Sequence, residues 1–103
     1  MFSRVTLLEI DTLRATVEEA VGVFWEHVLP GLREQDGYEG VVVLATAEGK
    51  GMIVSFWETA DAAAAAASFA TEALERYVTL FRSPPGREQY EVVLSELPGV
   101  VVP

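Results

Sequence analysis

Three side chains in this sequence sit where they could do chemistry: His27, Tyr77 and Trp57. His27 is the chain's one histidine, and imidazole is the side chain that exchanges a proton near neutral pH. It falls at the edge of an apolar helical stripe, from where it can reach a pocket mouth or simply meet solvent. Tyr77 falls near the middle of the apolar face of a second helix, which carries its hydroxyl toward a sheet. A buried hydroxyl needs a partner, and a ligand, a water or a strand side chain such as Thr6 or Ser55 can serve. Trp57 ends an apolar strand and offers a broad wall with one N–H donor, either as core or at the border of a cavity.

Other chemistry has little to stand on. There is no cysteine, so thiolate nucleophiles, disulfides and zinc–thiolate sites are excluded. One histidine cannot supply a cluster of imidazole ligands within a single chain, and no metal is expected. No serine stands in a G-x-S-x-G elbow. Neither G-x-G-x-x-G nor a P-loop occurs, so neither a dinucleotide nor ATP is suggested, and no cofactor is expected. Arg4 can hold an anionic substrate oxygen or pair with a neighbouring glutamate. Glu58 reads as part of a helix start rather than as an acid catalyst.

The elements that must position these residues centre on Gly37 to Ala67. Two apolar runs, Val41 to Ala45 and Met52 to Trp57, flank the polar connection Ala-Glu-Gly-Lys-Gly, which predicts a hairpin. Thr59 or Asp61 then caps a helix that starts in the alanine run and extends from Ala62 to about Arg82. It projects Ala66, Phe69, Ala70, Ala73, Tyr77 and Phe81 on one side, and Ser83-Pro84-Pro85-Gly86 ends it. The alanine methyls allow either close packing on the sheet or a cavity walled by Trp57, Tyr77, Phe24 and Phe69.

Upstream, Phe2 to Ile10 reads as a strand with Phe2, Arg4, Thr6, Leu8 and Ile10 on one face. Asp11 or Thr12 opens a first helix with Leu13, Val17, Ala20, Val21, Phe24, Val28 and Leu32 on its apolar stripe. Pro30 predicts a kink or break after Leu29, and Asp36-Gly37 a stop. Gln89 to Leu97 is a fourth strand, and the apolar tail Pro98 to Pro103 expects a partner surface.

The 103 residues, half of them hydrophobic, fit one domain over 1–103. A net charge of −9, with only 7 basic residues, argues against nucleic acid and anionic membrane surfaces as partners. No apolar run approaches the roughly 20 residues that span a bilayer, and Met-Phe-Ser-Arg-Val-Thr is no signal peptide, so a cytoplasmic protein is expected. The order strand, helix, strand, strand, helix, strand, with right-handed crossovers, predicts an α+β ferredoxin-like βαββαβ fold: a four-stranded antiparallel sheet with two helices on one face. Val41-Val42-Val43-Leu44 and Met52-Ile53-Val54 are apolar without alternation, so both sheet faces are expected to be covered. A second copy packed sheet to sheet does this as a homodimer.

The run from the first helix through Gly37-Tyr38-x-Gly40, an apolar strand, and Phe56-Trp57-Glu58-Thr59-x-Asp61-Ala62 resembles the antibiotic biosynthesis monooxygenase family of dimeric α/β barrels, over nearly the whole chain. That family includes oxygenases acting on aromatic polyketides or quinols without metal or flavin, haem-degrading enzymes, and proteins of no known activity. The resemblance implies that Trp57 is the strand tryptophan bordering a cavity between sheet and helices. The chain has no asparagine, which haem-degrading and several quinone-forming members carry on the first strand, and no histidine on the second helix to ligate haem iron, so the resemblance does not extend to haem degradation. The expected function is cofactor-independent oxidation of an aromatic or quinol-type small molecule, with Trp57, Tyr77 and His27 as catalytic candidates. Arg4, Thr6, Phe24, Ser55 and Phe69 are the substrate-binding candidates. The competing readings are a non-catalytic ligand-binding or accessory dimer, and a dimeric α/β barrel isomerase or cyclase working by proton transfer.

Overall fold

The computed structural model describes residues 1–77, 80–82, 86–97 and 100–102. Strand β1 (Phe2–Glu9) lies between β3 (Lys50–Trp57) and β4 (Gly86–Glu91), and β2 (Tyr38–Ala45) pairs on the outside of β3. All three pairings are antiparallel, giving the order β2-β3-β1-β4 of a ferredoxin-like α+β fold. The register Phe2↔Trp57, Arg4↔Ser55, Thr6↔Ile53 carries Arg4, Thr6, Ser55 and Trp57 to one face of the sheet, because side chains alternate along a strand. The helices cover that face.

The β2–β3 hairpin forms as its sequence predicts, with each strand longer than its apolar run. Gly49 has φ +98°, and a Cβ placed there would lie 2.6 Å from the Ile10 carbonyl oxygen, so the turn admits only glycine. Helix α3 (Ala60–Glu75) is capped by Thr59, whose hydroxyl accepts from the Ala62 N–H at 3.0 Å. Its buried residues are Ala63, Ala66, Ala73 and Leu74, so the alanine face is turned toward the core.

Five expectations from the sequence are corrected. The first helix, α1 (Val17–Val23), begins at the Thr16 cap rather than at Asp11 or Thr12. Thr16 accepts from the Glu19 N–H at 3.0 Å and donates to the Glu19 carboxylate at 3.2 Å, a reciprocal cap that Asp11 lacks. Asp11 instead accepts from Leu13 N–H within a turn, and Leu13, placed on the apolar stripe by its spacing, is 91% exposed. The irregularity expected after Leu29 lies before it, and the helix continues through Pro30. A π-helical turn, Phe24–Val28, precedes α2 (Leu29–Arg33), with Leu29 N–H bonding the Phe24 carbonyl five residues back. Proline clashes with the carbonyl four residues before it in a regular helix, here Glu26, and the wider turn removes that conflict.

Helix α3 ends at Glu75, well before Arg82, and residues 80–82 pair instead with residues 9–11 at the end of β1. Asp11 N–H bonds the Leu80 carbonyl, Arg82 N–H bonds the Glu9 carbonyl, and Ile10 bridges Phe81. The strand expected over Gln89 to Leu97 starts earlier and divides: β4 ends at Glu91, and β5 (Ser95–Leu97) pairs antiparallel with β6 (Val100–Val102) in a separate two-stranded sheet. The Ser83-Pro84-Pro85 stop and, in the tail, Pro98, Gly99 and Pro103 lie outside the described residues.

The core beneath the helices is built on Trp57, which has no exposed surface, with Leu29, Leu32, Ala63 and Ala66 around it. The opposite sheet face is uncovered and apolar, with Leu7 54%, Leu44 52% and Val42 40% exposed. Among the described residues no helix is long and apolar enough to cross a membrane.

Candidate functional site

Between the helices and the sheet lie two small cavities. One, about 50 Å³, is lined by residues that include Leu8, Val43, Met52, Phe81 and Tyr77. Among the described residues Tyr77 contributes the one hydroxyl to a wall whose other described members are apolar. The other, about 20 Å³, is lined by Arg4, Thr6, Ser55 and Trp57 on the sheet and by Leu32, Ala66 and Ala70 on the helices. Four side chains, Phe24, Val28, Ile53 and Leu74, belong to both walls and so form the partition between them.

Tyr77 follows α3 in the turn that its amide makes with Leu74, 3.0 Å away. Its ring stacks on His27, with centroids 6.0 Å apart and planes 28° from parallel. His27 sits in the π-helical turn, mostly exposed, with Nε2 3.9 Å from the Glu26 carboxylate. The two titratable candidates read from the sequence therefore meet at the edge of the larger cavity. The Tyr77 hydroxyl has no hydrogen-bond partner among the described residues.

Trp57 is held differently. Its indole N–H donates to the Ser55 hydroxyl at 2.9 Å, and Tyr38 packs edge-on against it at 5.6 Å. Ser55 thus satisfies the indole N–H inside the core, and the indole presents a wall to the smaller cavity.

Arg4 reaches Gln89 on the neighbouring strand at 3.2 Å, and Gln89 in turn lies 3.5 Å from the carbonyl of Ala60 at the start of α3. Among the described residues its guanidinium is the one charged group in either cavity wall. Thr6 is 8% exposed, and its hydroxyl has no hydrogen-bond partner among the described residues. A buried hydroxyl left open is costly unless a water or a ligand completes it. The smaller cavity, which Thr6 lines, is where such a partner fits.

Phe69 lines neither cavity. Its ring lies against Gly31, where a Cβ would come within 2.4 Å of it, so Phe69 locks α2 to α3. Sequence reasoning missed the partition made with Phe24 by Val28, Ile53 and Leu74. The burial of Val28 and Leu29 side by side is its trace, because consecutive buried positions break the helical spacing where the π-turn inserts a residue.

The fold has many solved counterparts. The structure superposes on NE2512 of Nitrosomonas europaea, a protein of unknown function, with TM-score 0.74 and 20% identity, covering 94% of this chain and 93% of that one. The Streptomyces coelicolor monooxygenase from ActVA-Orf6, solved with nanaomycin D, superposes with TM-score 0.70 and 20% identity, over 94% of this chain and 91% of its own. An antibiotic biosynthesis monooxygenase superposes with TM-score 0.69 and 11% identity, covering 90% and 99% of the two chains. No family model matches the sequence, and no curated protein matches it. At these identities the likeness establishes architecture: the chain has the ferredoxin-like fold of the antibiotic biosynthesis monooxygenases.

Proposed function

We propose that this protein is a cofactor-independent monooxygenase-like enzyme that oxidises an electron-rich aromatic or quinol-type small molecule between its sheet and helices, working as a homodimer. The observation that carries the reading is Tyr77, whose ring stacks on His27, whose hydroxyl is unpartnered among the described residues, and which lines a cavity whose other described residues are apolar. A lone hydroxyl in such a wall suits a substrate that is itself the reductant.

The chemistry balances without a further reductant. A substrate with an acidic ring methylene loses a proton to give a carbanion or enolate, which transfers electrons to dioxygen and forms a C–O bond, leaving a peroxide anion on that carbon. Protonation gives the hydroperoxide, and loss of water, with the second methylene hydrogen, leaves a ketone. Four electrons leave carbon and four reach the two oxygen atoms, one of which ends in the ketone and the other in water. The protein's share is to exclude water, orient the ring, and supply hydrogen bonds to the developing oxyanion. His27 takes or returns the proton at the mouth, Tyr77 donates to oxygen, and Thr6 with Arg4 holds an oxygen of the substrate at the other end. Phe24, Ser55 and Trp57 shape the walls.

The same fold in a monooxygenase solved with nanaomycin D supports an aromatic ligand. The second copy is supported by the uncovered face of Leu7, Val42 and Leu44, which another sheet can cover. Oxygen uptake with an anthrone tests the reading. Stoichiometric consumption of dioxygen and anthrone that is lost in Tyr77→Phe upholds it. Product formed at the same rate under strict anaerobiosis points to proton-transfer chemistry instead, and binding without turnover to an accessory role.

A further inference from the structure

We propose that Phe24 sets the size of aromatic this site accepts, by standing as the partition that divides one slot into two. The inference rests on the site described above but not on the oxidation. Phe24, Val28, Ile53 and Leu74 line both cavities. Ile53 is fixed in the central pairing of β3 with β1, Val28 is fully buried, and Leu74 is buried in α3. Phe24 alone of the four is an aromatic ring, keeps some exposure, and begins the π-helical turn.

Volume makes the partition consequential. An apolar cavity of about 150 Å³ holds benzene, and the two spaces, about 50 and 20 Å³, are each far below that, so any aromatic, an anthrone included, enters only as Phe24 is displaced. Withdrawing one phenyl ring joins them and adds the ring's own volume. The joined slot has hydroxyls at both ends, Tyr77 at one and Thr6 at the other. The π-turn gives Phe24 a backbone that differs from the regular helix on either side, and such turns recur where a side chain must serve a site. A smaller residue at position 24 favours a two-ring ligand over a one-ring ligand, and a larger one does the reverse.

The test uses phenol and 2-naphthol as one-ring and two-ring probes, with dissociation constants measured by calorimetry on the wild-type protein, Phe24→Ala and Phe24→Trp. Phe24→Ala should move the 2-naphthol to phenol affinity ratio at least tenfold toward 2-naphthol, and Phe24→Trp at least tenfold away from it. If Phe24→Ala does not fold, Phe24→Leu takes its place, with a shift of the same sign. Ratios that stay within threefold of wild type in both variants, or that fall in both, overturn the proposal. So does the failure of the smaller variant to bind either probe. Neither probe carries an activated methylene, so the readout is independent of turnover: the expected ratio shifts together with no oxygen uptake from an anthrone would overturn the oxygenase reading and leave the partition standing.

Discussion

The imidazole of His27 and the phenol of Tyr77 stack at 6.0 Å although one lies in the π-helical turn before the β2–β3 hairpin and the other in the turn that follows α3. The stack brings a group able to carry a proton beside the one hydroxyl that the described residues give the larger cavity. Replacing Tyr77 by Phe keeps the ring and the stack and removes only the hydroxyl. Oxygen uptake with an anthrone should fall by about 10- to 100-fold, the loss expected for one oriented donor or proton-transfer group. The melting temperature should stay within about 2 °C, since no hydrogen bond of the fold is lost. Full activity in this variant removes Tyr77 from the mechanism.

Thr6 offers a contrast in which the fold gains little from a polar group. Thr6→Val keeps the β-branched shape on β1 and removes a buried hydroxyl that has no partner among the described residues. Urea denaturation should show unchanged or greater stability, while affinity for 2-naphthol should fall about fivefold relative to naphthalene, which has no oxygen to lose. Clear destabilisation by this substitution means that the hydroxyl is satisfied within the protein.

Trp57 and Ser55 are expected to behave as a structural pair. Ser55→Ala leaves the fully buried indole N–H without its acceptor and should cost about 1–3 kcal/mol in urea melts. Trp57→Ala should cost about 3–5 kcal/mol, because it opens a hole among Leu29, Leu32, Ala63 and Ala66. The double variant should fall short of the sum, since the orphaned N–H disappears with the indole. Additive losses would show that the hydrogen bond carries no weight.

Tyr90 and Glu88 lie on the uncovered sheet face, with the Tyr90 hydroxyl donating to the Glu88 carboxylate. That hydrogen bond holds the phenol's pKa above its ordinary value of 10.0, with desolvation and the carboxylate's charge adding to the rise. The folded state therefore favours the protonated phenol. Its contribution to stability is complete below the unfolded pKa and fades as pH rises through the higher folded value. Ultraviolet titration of phenolate should show a late-titrating tyrosine, and Glu88→Gln should move that step to lower pH. An unchanged titration curve in the variant would show that the contact does not persist in solution.

Much of the site's layout is written in strand periodicity. Arg4 and Thr6 share a face by alternation, and the antiparallel pairing to β3 then sets them beside Ser55 and Trp57. The Thr59 cap and the hairpin are equally local, because hydroxyl and glycine positions announce them. What the sequence hides is decided by competition at longer range. Leu13 keeps helical spacing yet stays in solvent because Thr16 and Glu19 form the better cap. The end of α3 depends on pairing between Glu9–Asp11 and residues beyond Tyr77, which no local propensity encodes. The π-turn has one extra residue, so a fixed 3.6-residue wheel, which places Phe24, Val28 and Leu32 on the apolar stripe, leaves out Leu29, which is buried beside Val28.

The exposed face of the sheet gives the last prediction. Leu7 on β1, Val42 and Leu44 on β2, and Met52 and Val54 on β3 share that face by register, and charged or polar groups enter it only toward its edges, at Ser3, Glu9, Lys50, Glu88 and Tyr90. An apolar sheet face left open to water favours self-association. Wild-type protein at micromolar concentration should sediment at twice its 11.2 kDa chain mass. Leu7→Glu with Leu44→Glu should give a folded monomer, because both side chains are more than half exposed and neither belongs to the core under the helices. Two carboxylates per chain facing their copies across a closed interface would be desolvated and mutually repelled, which opposes association far more than it perturbs the monomer. A wild-type protein that sediments as a monomer throughout this range would refute sheet-to-sheet pairing. A double variant that remains dimeric would place the interface elsewhere on the molecule.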